Sequence, residues 1–109
     1  MMSYLTQYSP LFLRDLERIW AEIFSVSQNL ITTNQYINDL MDKIEKYKDY
    51  PKSASRLYYE DAWTGYYFIT FKAYIIFYHI ENNTVFVDRA LYGKSDYIQK
   101  LNLFNAPNE

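Results

Sequence analysis

The sequence predicts an α+β fold of order β-α-α-β-β-β, an antiparallel sheet packed on a helix hairpin. Two observations carry this. Apolar residues recur at three- and four-residue spacing through the first half, and beyond Pro51 the chain turns to runs of aromatic and β-branched residues.

The first segment, Ser3 to Tyr8, alternates weakly and reads as a short strand. Ser9-Pro10 then reads as a helix start, with serine as N-cap and proline at the first helical position, where its missing N–H costs nothing. Leu13, Leu16, Trp20, Ile23 and Phe24 form the expected apolar stripe, and Arg14, Asp15, Arg18 and Glu22 the solvated face, up to about Ser27. After the polar break Ser27–Asn29, Thr32 or Thr33 is the expected cap of a second helix. Its stripe is Ile37, Leu40, Met41, Ile44 and Tyr47, and Pro51 ends it. So short a break predicts an antiparallel hairpin.

A loop is expected around Lys52, Ser53, Ser55 and Arg56. Tyr66–Phe71, Tyr74–Ile80 and Thr84–Leu91 follow as strands, with Asn82-Asn83 as a hairpin turn because asparagine tolerates positive φ. Tyr97–Phe104 reads as a last helical turn and Asn105–Glu109 as a frayed end. On the middle strand Ile76, Tyr78 and Ile80 point one way and Ile75, Phe77 and His79 the other. Both faces are therefore apolar, and the face away from the helices is expected to stay partly open, which invites a partner.

Composition narrows the function. A chain of 109 residues fits one domain, residues 1–109. It has no cysteine, which removes disulfides, thiolate metal sites and cysteine nucleophiles. The longest apolar run, Tyr74–Tyr78, is far shorter than the ~20 residues of a membrane span. The N-terminus lacks the pattern of a secretion signal, so a cytoplasmic protein is expected, without a membrane partner. The net charge of −2 argues against a protein that coats nucleic acid.

Several chemical sites can be weighed from the residues. Tyr92-Gly93-Lys94-Ser95-Asp96 resembles the tail of a phosphate-binding loop, but the position five before Gly93 is Asp88, a carboxylate where the anion would sit. His79 is the sole histidine; it has no ligand cluster around it for zinc and reads as a packed or rim residue. The carboxylates read as solvated helix faces, with no glycosidase pair and no Ser-His-acid triad. No metal or cofactor is expected. Arg89 and Lys94 flank the end of the last strand with Tyr92 and Tyr97 nearby. Cations and phenols so placed would stabilise developing charge on a phosphodiester and move a proton. The alternative is structural: Tyr92 closes the core, Lys94 is solvated and Arg89 pairs with a carboxylate.

The stretch from Tyr66 to Leu101 resembles the C-terminal half of RelE/ParE-superfamily toxins of type II toxin–antitoxin systems. The resemblance is carried by Tyr74, Ile76, Phe77 and Tyr78 on one strand, then Arg89, Leu91, Tyr92, Asp96 and Tyr97. Asp15, Leu16 and Ile19 match the first helix of that family, and Pro51 follows the second. The resemblance implies a growth-arresting toxin held silent by an antitoxin that wraps the helix hairpin and the sheet, operator DNA being contacted only through the antitoxin. It implies one of two targets: mRNA cut on the ribosome, as by RelE-like members, or DNA gyrase inhibited without catalysis, as by ParE-like members. An inactive relative that only binds its antitoxin is the third reading. For the nuclease, the matching residues are Arg89, Tyr92, Lys94 and Tyr97, with Arg56 as a further cation. The sequence departs from that pattern: Tyr66–Phe68 holds no cation, Ser95 stands where relatives carry arginine, and Tyr92 stands where histidine is frequent.

Overall fold

A computed structural model describes residues 4–103. In chain order the elements are β1 (Leu5–Tyr8), α1 (Pro10–Ser27), α2 (Leu30–Glu45), a 3-10 turn (Pro51–Ser53), β2 (Ser55–Tyr59), β3 (Ala62–Phe71), β4 (Tyr74–Glu81), β5 (Thr84–Tyr92) and a short α3 (Tyr97–Lys100). They form one sheet of order β1-β5-β4-β3-β2, with both helices of the hairpin on one face. The α+β class and the hairpin-on-sheet arrangement are as expected.

Local signals placed the elements. The Ser9 hydroxyl accepts a hydrogen bond from Phe12 N at 3.0 Å, capping α1 with Pro10 at its first position. α2 begins earlier than expected, because Asn29 rather than a threonine is the cap; its side chain accepts from Thr32 N at 2.9 Å. Thr33 is instead buried and donates back to the Asn29 carbonyl at 2.8 Å. α2 stops at Glu45, and Pro51 opens the 3-10 turn that follows. The β4–β5 hairpin turns at Asn82, whose φ is +56°, as its composition predicted.

Two features of the sheet differ from expectation. The segment Ser55–Tyr59 is a strand, not a loop, and pairs antiparallel with β3 through a two-residue turn in which Glu60 and Asp61 have φ of +51° and +67°. Both central residues left-handed is the turn geometry whose twist matches paired strands. The sheet is also mixed, since β1 lies parallel to β5, Leu5 beside Thr84 and Tyr8 beside Val87.

The main core lies between hairpin and sheet. Phe12, Ile19, Leu40 and Ile44 pack on Tyr67, Ile69, Tyr74, Ile76, Tyr78, Val85, Val87 and Ala90. α1 is rotated from its expected orientation: Leu13 is half exposed, while Phe12, Asp15 and Ile19 face inward. The opposite face is only partly open, because Leu101 packs on Phe77, Leu91 and Leu57, with Tyr97 and Leu103 beside it. The chain covers part of its own second face. The frayed end expected at Asn105–Glu109, and Phe104, lie outside the described residues.

Candidate functional site

The end of β5 is where the candidate residues concentrate, and β1 explains its geometry. β1 stops opposite Val87, so beyond that point β5 would present an unpaired edge. The start of α1 fills the gap. Ser9 N donates to the Val87 carbonyl at 3.0 Å and Ser9 Oγ to the Asp88 carbonyl at 2.8 Å. Further along, Asp15 Oδ2 accepts from Ala90 N at 2.9 Å, and Arg18 Nη2 donates to the Ala90 carbonyl at 3.1 Å. Side chains of a helix thus complete the hydrogen bonding that a longer β1 would have supplied.

Asp15 is the hub of this edge. It is 2% exposed, yet accepts from Arg89 Nε at 2.8 Å, Arg89 Nη2 at 3.0 Å and Arg18 Nη1 at 2.8 Å besides Ala90. A buried carboxylate is tolerated only when so fully paired. Burial pushes its carboxyl upward, but the hydrogen bonds from Arg89, Arg18 and Ala90 outweigh this and hold it below the usual carboxylate range. Two of the three Arg89 guanidinium nitrogens, Nε and Nη2, are spent on the same carboxylate.

Among the described residues the other sequence-predicted residues make no hydrogen bond or ion pair with Arg89. Tyr92 is nearly half exposed at the strand end, its ring edge-on to Tyr74 at 6.1 Å. Gly93 N donates to the Ala73 carbonyl at 2.8 Å, and a side chain at Gly93 would meet that oxygen at 3.2 Å. Ser95 closes a tight turn onto the Tyr92 carbonyl through both its N–H and its hydroxyl. Lys94 projects from that turn, exposed, with no ion pair among the described residues. Tyr97 packs on Phe77 at 5.3 Å in the second face's core. Arg56 lies on β2, three strand spacings or about 14 Å from β5, stacked over the Trp63 ring at 4.6 Å.

His79 sits on the second face beside Phe77 and occupies a built position. Its Nδ1 lies 2.6 Å from Asp88 Oδ2 and its Nε2 2.9 Å from Glu81 Oε2, and its ring stacks on Phe86 at 5.0 Å. Asp88 reaches it because the β4–β5 register slips there: Phe77 faces Arg89 but Tyr78 faces Val87, leaving Asp88 as a bulge. Burial lowers the imidazole's proton affinity, but the hydrogen bonds and charges of Asp88 and Glu81 raise it further, and the net direction is upward. The carboxylates lie on opposite sides of the ring. Among the described residues no group of three or more His, Cys, Asp or Glu is arranged to hold a metal.

Sequence reasoning missed Asp15 and Arg18. One signal was available: Asp15 falls in the three- and four-residue spacing of Phe12, Leu16, Ile19 and Ile23, so it interrupts the stripe those residues define.

Residues 6–97 match the family described as the ParE toxin of the type II toxin–antitoxin system parDE. The chain belongs to the ParE toxin family. ParE-like architecture is also found among solved structures. One neighbour is the chromosomal ParDE toxin–antitoxin system from P. aeruginosa, with a TM-score of 0.68 and 12% identity over 84% of this chain and 96% of that one. Another is the RelBE2 toxin–antitoxin complex from Mycobacterium tuberculosis, with a TM-score of 0.59 and 18% identity over 84% and 93%. At such identities these two likenesses speak for the fold. No curated protein sequence matches. Within the ParE frame, the superfamily resemblance carried by Asp15, Leu16, Ile19 and Arg89 acquires a physical reason: it contains both partners of the pair that ties α1 to the edge of β5.

Proposed function

We propose that this ParE-family toxin arrests growth by binding its target rather than by cleaving RNA, with DNA gyrase as that target. The observation that carries this reading is the engagement of Arg89. A phosphodiester-cleaving site needs cations free to meet developing charge, whereas Nε and Nη2 of this guanidinium are bound to the buried Asp15. The other members of the candidate set are dispersed: Arg56 is on a distant strand and Tyr97 is packed in a core. The acidic balance, with a net charge of −2, also suits a protein target better than a ribosome.

The second reading is ribosome-dependent mRNA cleavage by Arg89, Tyr92, Lys94 and Tyr97, with Arg56 in support. It is favoured by one observation, the exposure of Tyr92 and Lys94 side by side at the end of β5. A cognate antitoxin belongs to either reading, as the two solved neighbours are toxin–antitoxin assemblies by their own descriptions. On this chain an apolar cleft of about 310 Å³, lined by Leu16, Glu17, Trp20 and Ile37 on the hairpin, offers the antitoxin a place to dock. Operator DNA would then be met through the antitoxin. No helix among the described residues is long and apolar enough to cross a membrane, and we place the pair in the cytoplasm.

Expression of the chain alone in a bacterial host tests the choice. We expect chromosomal double-strand breaks and a DNA-damage response while mRNA stays full length. Early mRNA cleavage that Lys94→Ala abolishes would overturn the proposal and select the nuclease. Unimpaired growth at high expression would instead identify an inactive relative.

A further inference from the structure

On the helix-packed side of the sheet, reaching from β2 across β3 to the end of β4, an open pocket of about 300 Å³ is lined by Lys52, Arg56, Trp63, Gly65, Tyr67, Ile80 and Asn82. It lies away from the Asp15–Arg89 edge and from the Leu16–Trp20–Ile37 cleft.

The pocket is built by an irregularity in β3. Arg56 faces Tyr67, but Tyr58 faces Trp63, so Thr64, Gly65 and Tyr66 together stand opposite Leu57 alone. This three-against-one bulge is tied down by side chains: Thr64 Oγ1 donates to the Leu57 carbonyl at 2.8 Å and accepts from Tyr66 N at 3.1 Å. Trp63 Nε1 donates to the Tyr66 carbonyl at 3.1 Å. Gly65 takes φ +92°, and no described atom lies within 4 Å of where its Cβ would be, so the glycine answers the backbone twist and leaves the pocket open above it. Bulges of this kind re-aim side chains. Here the result is to set Trp63 edge-on to Tyr67 at 5.4 Å and beneath the Arg56 guanidinium at 4.6 Å.

A guanidinium stacked on an aromatic face keeps its N–H rim available in one plane, the geometry that takes an oxyanion in two parallel hydrogen bonds. Neither Arg56 nor Lys52 makes an ion pair among the described residues. Two features of the surroundings select among anions. Glu60 and Asp61 form the turn joining β2 and β3, so a polyanion would meet repulsion within a few residues of the cations. Among the described residues β2 is also the sheet's terminal strand and pairs only with β3, leaving an edge that an extended polypeptide can join.

We infer that the Arg56–Trp63–Lys52 pocket recognises a single carboxylate side chain on an extended segment of a protein partner. Arg56 reads the carboxylate, Lys52 adds charge, and Trp63 with Tyr67 contacts the aliphatic stem. The inference holds for either target of the toxin.

Titration of the 15N-labelled 109-residue chain tests it. The probe is a blocked six-residue peptide alternating valine and glutamate; the controls are the same peptide with glutamine and a uridine octanucleotide. The Trp63 indole N–H resonance is expected to shift saturably with the glutamate peptide, while that of Trp20 stays in place. Arg56→Gln should weaken binding at least tenfold and Arg56→Lys by less, with thermal melting confirming that each variant is folded; Trp63→Leu should weaken it independently. Equal binding of the glutamine peptide, tighter binding of the octanucleotide, or no Trp63 shift with any probe would overturn the inference.

Discussion

Two arginines at opposite ends of the sheet show what burial does to a charge. Arg89, on β5, is 19% exposed and bound through two nitrogens to a carboxylate that is itself almost fully buried. Arg56, on β2, is exposed and rests on an aromatic ring. The first cation is neutralised at the point where α1 meets the β5 edge. Among the described residues the second makes no ion pair and rests on the Trp63 and Tyr67 rings. A cation at a strand end therefore cannot be assigned to chemistry by residue type; the nearest carboxylate decides.

The largest predicted effect follows from breaking the Asp15 pair. Asp15→Asn leaves Arg89 and Arg18 facing a neutral amide, and removal of one member of a buried pair costs about 3 kcal/mol. Urea unfolding should show that loss, and the unbound variant should still give a folded far-UV spectrum. Acid supplies a second reading. Because the carboxyl is held below its ordinary value in the folded state, its stabilisation is complete above the unfolded value of about 3.9 and disappears as pH falls through the lower folded value. Unfolding curves below pH 4 should be steeper against pH for the parent than for Asp15→Asn. Equal slopes would place the pair's energy elsewhere.

The same contrast shows why part of the fold was legible in the sequence and part was not. Ser9-Pro10, Asn82 and the helix periods are local signals, fulfilled within a few residues, and they placed α1, α2 and the β4–β5 turn. Asp15 finds its partners 74 and 75 residues away, so its face of α1 read as solvated and the helix was oriented wrongly. β2 was missed for a related reason. Only Leu57 of Ser55–Tyr59 is buried, which leaves no alternation to detect, and its pairing with β3 is interrupted by the bulge at Thr64–Tyr66. The Arg56–Trp63 pocket was illegible for the same cause: a non-local register slip creates it.

A second break separates the two faces of the sheet. Leu101→Ala removes the side chain that fits over Phe77 and Leu91 and should cost about 2 kcal/mol, at the low end of large-to-small changes because the site lies near the surface. The truncated face should bind a hydrophobic dye that the parent excludes. Loss of stability without dye binding would mean that Tyr97 and Leu103 close the gap.

A smaller effect is expected at His79, visible as a slope rather than as a midpoint. Its proton affinity is raised on folding by Asp88 and Glu81, so the stabilisation is complete below the unfolded value of about 6.5 and is lost as pH rises through the higher folded value. Burial lifts the Asp88 carboxyl although His79 pulls it down; the charged pair therefore exists in the window between the two. Stability of the parent should fall on the alkaline side of pH 6.5 relative to that of His79→Gln. A flat difference across that range would show that the imidazole is held by its stacking on Phe86 and not by charge.

The smallest effect on folding should come from Arg56→Gln, and its smallness is what completes the comparison. The arginine is exposed and its stacking on Trp63 is a surface cation–π contact, worth about 0.5–1 kcal/mol. The denaturant midpoint should move by less than a third of the shift seen for Asp15→Asn, with an unchanged denaturant slope. If the loss instead approached that of the buried pair, Arg56 would be a structural cation like Arg89, and the β2 edge would have no free charge to offer a partner. A near-neutral result, obtained with the Trp63 indole resonance unmoved in the unliganded variant, leaves the bulge intact and the guanidinium dispensable for folding. An arginine that folding does not require, kept over an aromatic ring beside a glycine bulge, is then explained by what it binds.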